Sequence, residues 1–192
     1  MPTNTHALSP RIARTPKLTA KPERTLEWLG GVNYENLGRI IGSVKVLLSS
    51  APEEEIALLV SSYGGATGIG MAFYDAMTGW LKPNLTTIGS GDVDSSGIIV
   101  FLAGRKRLLT KNTTLLLHLA GRTLDRDKRI STADLESMLK EDKLKDFQYA
   151  CIIAQACGGS WTPERILEMM ARNTILTAQE AVSMGLAQGI VA

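Results

Sequence analysis

Short apolar runs and helical stripes take turns through the first 120 residues, and this alternation constrains the fold more than any other feature. Residues 25–29 read as a strand stopped by Gly30-Gly31. Asn33 then caps a helix whose apolar positions Leu37, Ile40, Ile41, Val44, Leu47 and Leu48 fall on one stripe. Residues 56–60 are an unbroken apolar run, short enough for a strand buried on both faces. After Ser61-Ser62-Tyr63-Gly64-Gly65, a second helix is marked by Ile69, Ala72, Phe73, Ala76, Met77 and Trp80 and stops before Pro83. A third strand is expected at 85–88, a turn at Gly89 and Gly91, and an apolar helix at 97–103. Strands separated by helices return parallel, so the pattern predicts an α/β chain with a mostly parallel sheet flanked by helices.

Strand-like stretches at 107–110 and 114–119 follow, joined by the turn Lys111-Asn112-Thr113. Beyond them the chain reads as helices. Ser131 with Asp134 signals the start of a long helix that Gly158-Gly159 ends. Thr162-Pro163-Glu164 opens a short one. Thr177 and Glu180 form a capping box for the last, which Gly185 closes before a final strand at Ile190-Val191.

The length of 192 residues fits one domain, expected at 25–192, preceded by a flexible, basic and proline-punctuated arm at 1–24. A formal net charge of +2 argues against a dedicated nucleic-acid binder. No apolar run is long enough to span a bilayer, and no signal-peptide core lies near Met1. These features predict a soluble protein of a reducing, cytoplasmic compartment. Cys151 and Cys157 match no metal or redox spacing, and only His118 accompanies His6 of the arm, so no metal and no cofactor are expected.

The chemistry concentrates at residues 86–97, T-T-I-G-S-G-D-V-D-S-S-G. A strand, a tight turn and a helix start can lift a serine hydroxyl, Ser95 or Ser96, off the sheet beside unpaired N–H groups. The blander reading is a helix N-cap. His118, at the end of an apolar β-run, is placed as a general base could be, or as a half-buried structural histidine. The two readings support each other, because a serine hydroxyl at neutral pH needs a base to become a nucleophile. Gly64-Gly65 to Gly70 lacks the lysine and spacing of a phosphate loop, and Val93 stands where a hydrolase elbow needs glycine.

In this order the residues resemble the proteolytic subunit of the Clp protease and its relatives, over roughly residues 25–192. The family's N-S-P-G-G turn appears as Ser61-Ser62-Tyr63-Gly64-Gly65, followed by Gly70-Met71-Ala72-Phe73-Tyr74-Asp75-Ala76-Met77. Its nucleophile motif, G-x-A-x-S-x-G, appears as Gly91-Asp92-Val93-Asp94-Ser95-Ser96-Gly97. Its histidine segment appears as Lys111-Asn112-Thr113-Thr114-Leu115-Leu116-Leu117-His118. Its C-terminal segment, F-L-S-A-x-E-A-x-x-Y-G-L, appears from Ile175-Leu176-Thr177-Ala178 to Met184-Gly185-Leu186.

The resemblance implies a fold shared with crotonases, with a protruding handle helix from Ser131. It implies a serine endopeptidase with Ser95 as nucleophile, His118 as general base and the N–H groups of Gly65 and Ser96 as oxyanion hole. It also implies stacked heptameric rings enclosing a chamber, and an AAA+ ATPase unfoldase that feeds in peptides or unfolded proteins. The family's third triad residue, usually Asp, is here Asn173, giving a Ser-His-Asn variant whose amide can orient the ring but not offset its charge. Tyr63 replaces a proline, Asp94 puts a carboxylate beside the nucleophile, and the loop after His118 is charged and longer. These departures leave an alternative, a catalytically weak or inactive ring subunit of the same fold. An acyl-CoA enzyme of the crotonase type is a more distant one, since it would not need Ser95 and His118 together.

Overall fold

The computed structural model describes residues 19–124, 127, 129–159 and 161–191. Residues 1–18 of the expected arm lie outside them. Of residues 19–24, Ala20 is half-buried and Arg24 buried, and the others are exposed. A 3-10 turn, Pro22–Arg24, buries Arg24, whose guanidinium donates to the carbonyls of Leu47, Ala51, Glu54 and Glu55.

The strands β1 (Thr25–Leu29), β2 (Ile56–Ser62), β3 (Leu85–Val93), β4 (Lys106–Thr110) and β7 (Gly189–Val191) lie side by side in that order, all parallel. Helix α1 (Tyr34–Ser50) joins β1 to β2. Helix α2 (Thr67–Asp75), prolonged by a π-helical turn at Ala76–Leu81, joins β2 to β3. The central position of β2 explains its apolar run, which is buried along nearly its whole length. Trp28 of β1 meets Phe73 of α2 edge-on at 5.0 Å, tying the sheet to the helical layer.

Helix α3 (Ser96–Leu102) is buried at every residue, being enclosed by β2, β3, α2 and α4. This explains its unbroken apolar sequence, since only a helix covered all round can be apolar all round. Its last turn is anchored inside the core, where the Thr87 hydroxyl donates to Phe101 O at 2.7 Å.

Two expectations at the local level are corrected. The glycines after Ile88 do not break the strand: β3 continues to Val93. Gly89 marks a close approach instead, because a Cβ there would lie 2.7 Å from the Leu109 side chain of β4. The strand expected at 114–119 ends earlier, as β5 (Thr114–Leu117), and it pairs antiparallel with a strand that the sequence pattern did not separate, β6 (Thr174–Thr177). β5 also joins the far end of β3 through Asp92 and Thr114. β3 therefore runs out of the main sheet into a second, smaller one.

The long helix α4 (Thr132–Ala156) begins at a capping box between Ser131 and Asp134, as the sequence predicts. It is buried only near its end, at Tyr149, Ala150, Ile153 and Ala154. Helix α5 (Pro163–Ala171) and helix α6 (Ala178–Met184) complete the layer, α6 closing on a left-handed Gly185. Among the described residues no helix is long and apolar enough to cross a membrane.

Candidate active site

The carboxyl end of a parallel strand at its point of departure from the sheet is where open α/β folds place ligands. Here that point lies between Val93 of β3 and Ser96 of α3. Ser95 adopts φ 56° and ψ −127° and makes no capping hydrogen bond with its side chain. An N-cap serine has a negative, extended φ and bonds the first turn. Ser95 does neither, and a non-glycine residue at positive φ is costly enough to need a reason. The surroundings hold it there: its N–H donates to Leu116 O, its carbonyl accepts from Ile98, and the flanking Asp94 N–H donates to Ser62 O.

Gly64 makes room for it. A Cβ at Gly64 would stand 2.6 Å from Ser95 Cβ and 3.1 Å from its Oγ, and Gly64 itself has φ +92°. Gly65 is equally constrained, since a Cβ there would meet Val32 O at 2.6 Å. The Ser96 hydroxyl, wholly buried, donates to Gly65 O at 2.9 Å. That bond locks the start of α3 to the glycine turn. Among the described residues the N–H groups of Gly65 and Ser96 take no hydrogen-bond partner. Two open donors beside a strained serine can receive the oxygen of a carbonyl whose carbon the serine attacks.

His118 follows β5 and is half-buried. It lies two residues past Leu116, whose carbonyl holds Ser95, but no hydrogen bond joins the ring to the Ser95 hydroxyl among the described contacts. Its Nδ1 lies 2.7 Å from Leu119 O. A carbonyl only accepts, so Nδ1 carries the proton and Nε2 keeps its lone pair. Asn173 follows α5 with φ 52°. The β5–β6 register pairs Leu117 with Thr174. His118 and Asn173 are the next residues beyond that pair, outside both strands. The amide is exposed, and no hydrogen bond joins it to the ring.

Asp94 accepts from Leu116 N–H at 2.9 Å. Burial pushes its carboxyl up, Leu116 N–H and the His118 charge pull it down, and Asp92 adds to the rise. Asp146 of α4 accepts from Ala120 N–H at 2.7 Å and is likewise pushed up, first by burial. Asp94 was visible in the sequence as an anomaly. Asp146 was not: it reaches Ala120 from 26 residues away, and nothing in local spacing signals that contact.

A cleft of about 390 Å³ opens beside Gly65, with Ala66 and Thr67 on one side and Ala120, Gly121 and Arg122 on the other. Arg122 closes its far wall by pairing with Glu141 at 2.6 Å and Asp142 at 2.8 Å on α4. Lys145 also binds Glu141, and together the two cations hold that carboxyl down at about 2.

A parallel α/β layer with a half-buried serine at a strained strand-to-helix turn defines a class of fold and site able to hold a carbonyl group. The sequence matches the Clp protease family over residues 17–192, which is nearly the whole chain, and the chain belongs to that family.

Proposed function

We propose that this chain is a serine endopeptidase of the Clp type. The observation that carries the proposal is the backbone of Ser95, strained and unused as a cap, beside the unpaired N–H groups of Gly65 and Ser96. In this reading a peptide lies with its scissile carbonyl over Ser95, at the Gly65 edge of the cleft. The Oγ attacks the carbonyl carbon while its proton passes to His118 Nε2. The tetrahedral oxygen takes the negative charge between the N–H groups of Gly65 and Ser96. His118 then returns the proton to the departing amine, and a water molecule, activated by the same ring, releases the acyl group. Asn173 occupies the third position without a charge. Self-assembly into stacked rings, an ATPase unfoldase as feeder, peptide or unfolded-protein substrates and a cytoplasmic setting belong to the same proposal and rest on family membership.

A second reading, a ring subunit with little or no catalysis, is favoured by the absence of a hydrogen bond between Ser95 and His118 and by the neutral Asn173. A fluorophosphonate probe separates the two. Labelling at Ser95, lost in Ser95→Ala but only slowed in Ser96→Ala, supports the peptidase, because Ser96 contributes its N–H while its hydroxyl only ties the turn to Gly65. Cleavage of an activated peptide ester should follow the same pattern. No labelling of the assembled protein, or equal loss in both variants, would sink the assignment.

A further inference from the structure

The acid of a serine-protease triad has two duties. It fixes the ring tautomer so that Nε2 is the base, and it offsets the positive charge that forms when the ring takes the proton. A neutral amide at Asn173 leaves the second duty vacant, and the geometry around His118 divides both among other groups.

Leu119 O takes Nδ1–H at 2.7 Å, which sets the tautomer. Two carboxylates then bracket the histidine along its own backbone. Asp94, from the β3–α3 turn, accepts from Leu116 N–H, two residues before it. Asp146, from α4, accepts from Ala120 N–H, two residues after it. Both are half-buried, both come from elements remote from each other in sequence, and both feel the charge of the His118 ring.

Other charges lie on the same elements. Asp92 stands behind Asp94, and Asp142 behind Asp146. Arg122, the first of the cations on the loop after His118, is engaged by Asp142 and Glu141. The β6 side presents Asn173, neutral, with Arg172 exposed beside it.

We propose that Asp94 and Asp146 are positioning residues that together replace the triad acid, holding the His118 segment at both ends and offsetting the imidazolium charge through space, while the Leu119 carbonyl orients the ring. The proposal rests on the peptidase reading above. It explains why a carboxylate can be tolerated directly beside a nucleophile: its partner is the histidine's strand, not the serine.

The test uses Asp94→Asn, Asp146→Asn and the double variant in the full-length assembled protein. An amide oxygen can still accept from Leu116 or Ala120, so the backbone bonds persist and only charge is lost. The readouts are the rate of fluorophosphonate labelling at Ser95 and kcat/KM on one activated peptide ester, both against pH. Removing a carboxylate disfavours the protonated ring, so the acid limb of each profile should move to lower pH. The plateau should fall about tenfold for each single variant and about a hundredfold for the double.

A purely structural role predicts profiles that superimpose on the parent protein. Superimposed profiles with Ser95 still labelled would overturn the proposal and leave the peptidase reading standing. No labelling of the parent protein at any pH would remove both. If Asp94→Asn disturbs the Ser95 turn, Asp146→Asn alone decides, since Asp146 lies on α4 away from that turn.

Discussion

Around Ser95 each neighbour has a separate physical task. Gly64 leaves space for the serine, Gly65 carries a carbonyl that ties down Ser96, and Ser96 spends its hydroxyl on that bond so that only its N–H faces outward. Asn173 is the residue at which a single change is most informative. Asn173→Asp would put a carboxylate on the segment paired with that of His118, to compete with Leu119 O for Nδ1–H. Turnover on an activated ester should rise, and the acid limb of the rate profile should move to higher pH, because a carboxylate favours the protonated ring. Exchanging the acid for its amide costs about 10⁴-fold in kcat in the Ser-His-Asp template. With Asp94 and Asp146 already near the ring, the gain here should fall well short of that, at about ten- to a hundredfold. Unchanged turnover with an unchanged limb would mean that residue 173 does not touch the histidine.

Among the elements, α1 shows how a helix end is stabilised without a cap of its own. Its last carbonyls and the loop into β2 converge on the Arg24 guanidinium, which lies inside the protein. A cation at a helix C-terminus opposes the negative end of the helix dipole, and here it also donates to four part-buried carbonyls. Arg24→Ala removes the side-chain donor from the Glu54 and Glu55 carbonyls and one of several donors from those of Leu47 and Ala51, and should cost about 1–3 kcal/mol of stability. Thermal unfolding followed by circular dichroism would register a lowered midpoint, while Ser95 labelling at 25 °C stays intact. Arg24→Met keeps the stem packing but not the donors, and a similar loss in both variants assigns the effect to the hydrogen bonds.

For the whole molecule the feature of greatest consequence is α4. Its 25 residues span about 37 Å, yet only the last third is buried against α3 and α5. Leu135, Leu139, Leu144 and Phe147, from 46% to 55% exposed, lie on the part that projects. Exposed apolar side chains grouped on one helix suit a contact surface, and the peptidase proposal assigns it to the contact between stacked rings. Light scattering at micromolar concentration should report a large homo-oligomer. Leu139→Asp and Phe147→Asp should lower its mass by separating the rings without unfolding the protomer. A monomeric parent protein would count against both the rings and the chamber.

The sequence by itself determined the layer order, since hydrophobic period and caps are local properties: Asn33, Ser131, Thr162 and Thr177 cap the helices that they announce. It also marked Ser95 and His118 as unusual, because a glycine-flanked serine and a single ordered histidine stand out in one dimension. It misread β3 at Gly89, where the glycine answers to Leu109 on another strand, and it passed over β6, whose four residues gain strand character only from pairing with β5. What only the tertiary structure decided were the partners. The positive φ of Ser95, the pairing that brings the segments ending at His118 and Asn173 together and the two carboxylates on either side of the histidine all depend on contacts between segments 20 or more residues apart. Charge and hydrogen bonding act through space, whereas local pattern records only what neighbours along the chain require.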